Sequence, residues 1–295
     1  MAGFDVRHVL DVKALLGEAP IWSAEQDALI WLDIRRDTLN RFDPRTGVNK
    51  SWKLPVRHPG AFTLCHGGVA VATNQGFFRF DFTTETFDRL GDVPIDPAIY
   101  RFNDGKADRQ GRFWIGSMLI AFTYEGPGEG TYYRYENGQW AAGIERIKVP
   151  NGTAFSPDGT TMYRSESMSR QMFAYDYDTV NGTASNARLF AEMPEGFGIP
   201  DGGTVDTEGF VWSAVPFGDG GRVARFTPDG KLDLSIDVPV TVPTMVAFGG
   251  KDMSTLFVTS GRIEDSLGLP FSTLGGDIFA IDTPFKGIPE ALTRV

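Results

Sequence analysis

Four polar side chains stand at matched distances ahead of an aromatic residue. Asn103 lies 11 residues before Trp114 and Asp201 11 before Trp212. Asn151 lies 12 before Tyr163, and Glu18 13 before Trp31. Each sits in a turn-like context: GEAP, FNDG, PNGT and PDGG. Asn, Asp and Gly in such stretches are also ordinary turn formers, so one of them alone means little, and the matched register is what distinguishes the four. Two carboxylates and two amide carbonyls are hard oxygen donors. They suit one divalent cation: Ca²⁺, Mg²⁺, Mn²⁺ or, with less selectivity, Zn²⁺. Two carboxylates only neutralise such an ion, leaving it available to water or substrate as a Lewis acid.

The elements that must position these groups show as an internal repeat. A turn rich in Asp, Gly or Ser followed by an apolar strand reads SAEQDALIWLD, LCHGGVAVAT, DRQGRFWIGS, SPDGTTMYRS, DTEGFVWSA and GGKDMSTLFVTS. The anchors Trp31, Val71, Trp114, Tyr163, Trp212 and Phe257 are 40, 43, 49, 49 and 45 residues apart. Most units add a second alternating stretch ending in a turn, as in LNRFDPRTG and RVARFTPDG. Alternation of apolar and polar residues is the period of a half-buried strand. Six such units predict an all-β chain, a six-bladed β-propeller forming one domain over residues 1–295; two β-sandwiches explain the spacing less well. The partly alternating segment from Phe4 to Val12 is expected to pair near 277–282 and close the ring. Inner strands of a propeller face its axis, which brings Glu18, Asn103, Asn151 and Asp201 together. The corresponding stretches of the other two units, Gly60 to Phe62 and Val242 to Val246, carry no ionisable group.

Composition narrows the function. With 28 Lys and Arg against 38 Asp and Glu, the net charge of −10 argues against a nucleic-acid partner. No run approaches the length of a membrane span, and the first residues lack the apolar core of a signal peptide. A cytoplasmic protein is expected, as a monomer unless copies associate. The single cysteine, Cys65, cannot form an internal disulfide. There is no G-x-S-x-G elbow, and His8, His58 and His66 lack metal-ligand spacing. The Gly218 to Gly221 run, GDGG, reads as a hairpin turn rather than a phosphate loop.

The segments LGEAPIW, RFNDGKADRQGRFWIGSM, PNGTAFSPDG and PDGGTVDTEGFVW resemble the signature segments of the gluconolactonase, senescence-marker (regucalcin) and luciferin-regenerating family. The resemblance runs from about Glu18 to the last blade. It implies a divalent cation on the propeller axis, held by Glu18, Asn151 and Asp201. It also implies Asn103 beside the cation, Arg101 and Asn103 on the substrate, and Asp201 as general base. The implied reaction is hydrolysis of a small-molecule sugar lactone to its aldonic acid. The alternatives are hydrolysis of another ester or an organophosphate, and a non-enzymatic calcium-binding regulator.

The chain departs from that pattern twice. After GSM come Leu119, Ile120, Ala121, Phe122 and Tyr124, with Glu125 and Glu129 following in a Gly-rich loop. This predicts a more apolar pocket wall, suited to a smaller or less hydroxylated lactone. The segment SES at Ser165 to Ser167 stands where related sequences commonly carry Asp, which places Glu166 behind the site.

Overall fold

A computed structural model describes residues 4–121, 128–264, 268 and 272–295. Six four-stranded antiparallel sheets are arranged as the blades of a propeller, each built from strands consecutive in sequence except the last. Blade one spans 17–53, blade two 59–91, blade three 100–147, blade four 150–192 and blade five 203–237. Blade six takes its three inner strands from 243–282 and its outermost strand, Val6–Leu10, from the N-terminal segment. Val6 pairs with Ile281 and Arg7 with Ala280, so the ring closes where the sequence predicts. Closure leaves no inner edge open to another chain.

All six anchors fall on the second strand of a blade. The turns before them explain the recurring motif. Asp108 and Asp206 accept backbone N–H bonds from residues two and four positions on, at 2.8–3.0 Å. Ser23 and Ser156 do the same for Gln26 and Thr161 at 3.2 and 3.0 Å. The repeat is therefore turn chemistry followed by a buried strand. Packing follows it round the ring: six apolar clusters of the described residues each join two neighbouring blades. Trp114, Phe155 and Tyr177 join blades three and four, and Trp31, Phe257 and Ala280 join six and one. Trp31, Trp114 and Trp212 are completely buried in these seams.

Beyond the last blade, the chain crosses the channel at the C-terminal ends of the inner strands. Thr207 of blade five donates to the Lys286 carbonyl at 2.8 Å. At the axis, Glu290 pairs with Lys106 at 3.1 Å. Further on, Thr293 donates to the Leu64 carbonyl of blade two at 2.8 Å. The tail thus lies across that end of the channel, away from the four polar side chains, which sit at the opposite, N-terminal ends of the inner strands. Among the described residues, no helix is long and apolar enough to cross a membrane.

Candidate metal and lactone site

The inner strands do not run straight past the axis. Their pairing with the second strand shifts register between Glu18 and Ile21, Pro59 and Ala61, Phe102 and Gly105, Asn151 and Ala154, and Pro243 and Met245. Such bulges break the strict in–out alternation and re-aim side chains. In blade five Asp201 precedes the inner strand Gly203–Val205, tied by Asp201 N–H to the Ala214 carbonyl at 2.9 Å. The bulges carry backbone strain in the left-handed region: Ala19, after Glu18, has φ +49°, and Gly152, after Asn151, has φ +58°. An L-residue there costs roughly 1–2 kcal/mol, so Ala19 is held against preference at the residue that directs Glu18.

A hydrogen-bonded chain links the polar groups. Arg101 Nη1 donates to Asn103 Oδ1 at 2.8 Å and to the Phe102 carbonyl at 3.0 Å. Asn103 Nδ2 donates to Asn151 Oδ1 and to the Pro150 carbonyl, both at 2.8 Å. Asn151 Nδ2 donates to Ser167 Oγ at 2.8 Å, and Ser167 Oγ donates to the Pro200 carbonyl at 2.7 Å. The chain runs from blade three through blade four to the residue before Asp201. It turns the Asn151 amide so that one lone pair of Oδ1 is taken by Asn103, and the other has no hydrogen-bond donor among the described residues.

Glu18 and Asp201 complete the ring of acceptors. Both are enclosed by protein but still touched by solvent. Burial, then the charge of Asp104, pushes the Glu18 carboxyl up to about 8 against opposition from the Ala19 N–H and Arg101. Burial, then the charges of Glu18 and Asp104, raises Asp201 well above the usual carboxylate range. Asp104 is itself raised by burial, although Thr153 N–H donates to its Oδ2 at 2.7 Å. Its other oxygen, Oδ1, is buried without a hydrogen-bond partner among the described residues. Burial, followed by the charge of Arg35, pulls Arg101 down to about 10 despite Glu18, leaving it cationic at neutral pH. Neither Glu18 nor Asp201 has an ion-pair partner among the described residues.

This donor set fits a hard divalent cation. Asp104 raises both Glu18 and Asp201, Glu18 raises Asp201 further, one oxygen of Asp104 is buried without a partner among the described residues, and the Asn151 amide oxygen faces the same carboxyls; an added positive charge would favour all of them. Among the described residues, no three His, Cys, Asp or Glu side chains gather closely enough to hold an ion without help. A cation would depend on the amide oxygen of Asn151 as well as on the two carboxylates.

Residues 16–262 match the profile described as the SMP-30/gluconolactonase/LRE-like region. The chain belongs to the SMP-30/gluconolactonase/LRE-like family. It is 37% identical over 290 residues to a 6-deoxy-6-sulfogluconolactonase of Pseudomonas putida, covering 96% of this chain and 97% of that protein. It is 32% identical to a pentonolactonase of Haloferax volcanii, with 97% of each chain covered. Its fold matches the crystal structure of a calcium-binding protein, regucalcin, from Agrobacterium tumefaciens with TM-score 0.90 and 28% identity, covering 99% and 98% of the two chains.

Three groups in this member of the SMP-30/gluconolactonase/LRE-like family escape a reading based on the four register positions. Ser167 joins the hydrogen-bonded chain, and Asp104 joins the carboxyl cluster. Asp33 holds the backbone entering blade one, accepting from Leu15 and Leu16 N–H at 2.9 and 3.2 Å. Glu166 does the same for blade four, accepting from Lys148 and Val149 N–H at 2.9 Å each. Both carboxylates lie 15 residues after a site residue, Asp33 after Glu18 and Glu166 after Asn151. That shared spacing is the signal that would have found Asp33. Of the expected apolar wall, Ile120 lines the mouth, joined by Met118, while Leu119 and Ala121 do not; Phe122, Tyr124 and Glu125 lie outside the described residues. Glu129 is exposed.

Proposed function

We propose that this chain hydrolyses a sugar lactone to its aldonic acid, using one divalent cation held by Glu18, Asn151 and Asp201. The supporting observation is the convergence of two carboxylates without ion-pair partners and one oriented amide oxygen from three separate blades. Close similarity to two proteins named as sugar lactonases supports the same reading.

When bound, the cation supplies Lewis acidity toward the lactone carbonyl and its oxyanion. Asp201 accepts a proton from the attacking water, a role suited to a carboxyl whose basicity burial and the neighbouring carboxyls raise well above the usual carboxylate range. Arg101, fixed on one side by Asn103 and the Phe102 carbonyl, orients substrate oxygens with its remaining N–H groups. Asn103 holds Asn151 in place and faces the substrate beside it. The tail across the far end of the channel makes the N-terminal ends of the inner strands the way in.

A pH-indicator assay over a panel of aldonolactones, aryl esters and phosphotriesters tests the reading, with exhaustively chelated protein as baseline. Turnover of lactones restored by one of Ca²⁺, Mg²⁺, Mn²⁺ or Zn²⁺ supports it. Full activity after chelation removes the cation, and full activity in Asp201→Ala removes that residue from the mechanism. Turnover confined to aryl esters or phosphotriesters replaces the substrate class, and cation binding without any turnover favours a regulator.

A further inference from the structure

Beside the site, sharing Arg101 with it, lies a depression of about 610 Å³. Its lining is out of keeping with a chain of net charge −10. Arg35 comes from the short 3-10 turn Ile34–Arg36 of blade one, and Arg57 and His58 from the connection between blades one and two. Arg101 joins them in the lining. Among the described residues of the lining there is one carboxylate, Asp37, and it is already committed. Its Oδ2 receives Lys53 Nζ at 3.1 Å, and its Oδ1 receives the His58 backbone N–H at 3.0 Å. Neither Arg35 nor Arg57 has an ion-pair partner among the described residues.

The rest of the wall offers little to a neutral polyol. Met118 and Ile120 on one side and Leu15 and Leu16 on the other present no hydroxyl acceptors from their side chains. At the axis, a dication would cancel the charges of Glu18 and Asp201. Among the described residues, Arg35 and Arg57 would then face no net counter-charge. Guanidinium groups with free N–H forks in an apolar recess are suited to an oxyanion held by charge-assisted hydrogen bonds.

We infer that the preferred substrate is a lactone carrying an anionic group (phosphate, sulfonate or carboxylate) on the end remote from the ring carbonyl, and that Arg35 and Arg57 receive that group. The inference rests on the lactonase reading for the ring, and on the charge of the mouth for the substituent.

The test compares kcat/KM of the cation-loaded protein for gluconolactone, its 6-phosphate, its 6-deoxy-6-sulfonate and a glucarolactone. The same panel is run on Arg35→Gln and Arg57→Gln, both exposed positions where the fold should tolerate exchange. At least one anionic lactone should exceed the neutral one by about 10-fold or more, and each substitution should shrink that ratio by about 10-fold, mainly through KM, as loss of a charge-assisted bond does. The arms identify which oxyanion is read. Equal or better turnover of neutral gluconolactone, with a ratio that neither variant moves, overturns the inference while leaving the lactonase reading standing. If no lactone turns over, the lactonase reading fails, and calorimetry with gluconate 6-phosphate against gluconate decides the inference. Tighter binding of the phosphate form, lost in both variants, upholds an anion site; equal binding by wild type and variants overturns it.

Discussion

Asn103 Nδ2 lies 2.8 Å from Asn151 Oδ1, so a side chain of blade three sets the orientation of the amide that blade four contributes to the axis. With the same nitrogen also bonded to the Pro150 carbonyl and its oxygen held by Arg101, Asn103 has little freedom. Replacing Asn103 by Ala should release Asn151 and loosen Arg101 together. Groups that orient a metal ligand typically matter by about 10–100-fold, and a loss of that order in kcat/KM is expected. Cation titration should show weaker binding in the same variant. Ser167→Ala acts on the same amide from its other side, so the double variant should lose less than the product of the two singles; strictly independent effects would separate the residues.

Acidity at the axis predicts a linked pH effect. Glu18 is held up to about 8, above its ordinary value of 4.5, so the folded apo protein binds the extra proton. A carboxyl raised on folding stabilises the fold below its unfolded value and loses that contribution as pH rises through its folded value. The cation-free protein should therefore lose thermal stability between about pH 4.5 and 8 from this group. A bound dication favours the ionised carboxylates, so its affinity should climb over the same interval. Melting curves with and without cation at pH 5 and pH 8.5 check this: the rise in Tm from cation should be larger at the higher pH. The same or a smaller rise there would show that the carboxyls do not compete with protons for the ion.

Much of this could be read in advance because it depends on local rules. The turn residues Asp108, Ser156 and Asp206 and the aromatics behind them announce the hairpin between inner and second strands, the most repetitive part of each blade. The outer strands give no comparable signal: VNKSWK and TASNARLFAE are largely exposed on the rim and lack a buried face to impose a pattern. The shared placement of Glu18, Asn103 and Asn151 on their inner strands followed from register because bulges occur at equivalent points. Ser167 and Asp104 did not follow, since their roles arise between blades. The cationic mouth was hidden for the same reason, with Arg35, Arg57 and Arg101 belonging to three different loops or strands.

Glu166 offers a test of positioning rather than ligation. Its two oxygens accept the Lys148 and Val149 N–H groups at 2.9 Å each, immediately before the Pro150–Asn151 turn into the axis. Glu166→Ala should cost about 1–2 kcal/mol in denaturant unfolding, the range for partly buried donors losing an acceptor. Because Asn151 rides on that backbone, the variant should also weaken cation binding. Glu166→Gln keeps one acceptor oxygen and should fall between. Asp33→Ala is expected to act in parallel on Glu18 through Leu15 and Leu16.

The far end of the channel is held by a buried charge pair whose worth is conditional. Lys106 lies on the same inner strand as Asn103, is 3% exposed, and donates to the Gly203 carbonyl and Glu290, both at 3.1 Å. Glu290 Oε2 is buried with no partner, so the carboxylate already depends on one cation. Removing one member of such a pair strands the other, which typically costs about 3–5 kcal/mol, whereas replacing both by apolar groups is often close to neutral. Lys106→Met should therefore be severely destabilising in urea unfolding, and Glu290→Leu likewise. The double variant should recover most of the loss, since no unpaired charge is left and the tail can pack against the strand ends. Additive losses would mean that Lys106 and Glu290 act independently and that the tail is seated by its bonds at Thr207 and Leu64 rather than by the ion pair.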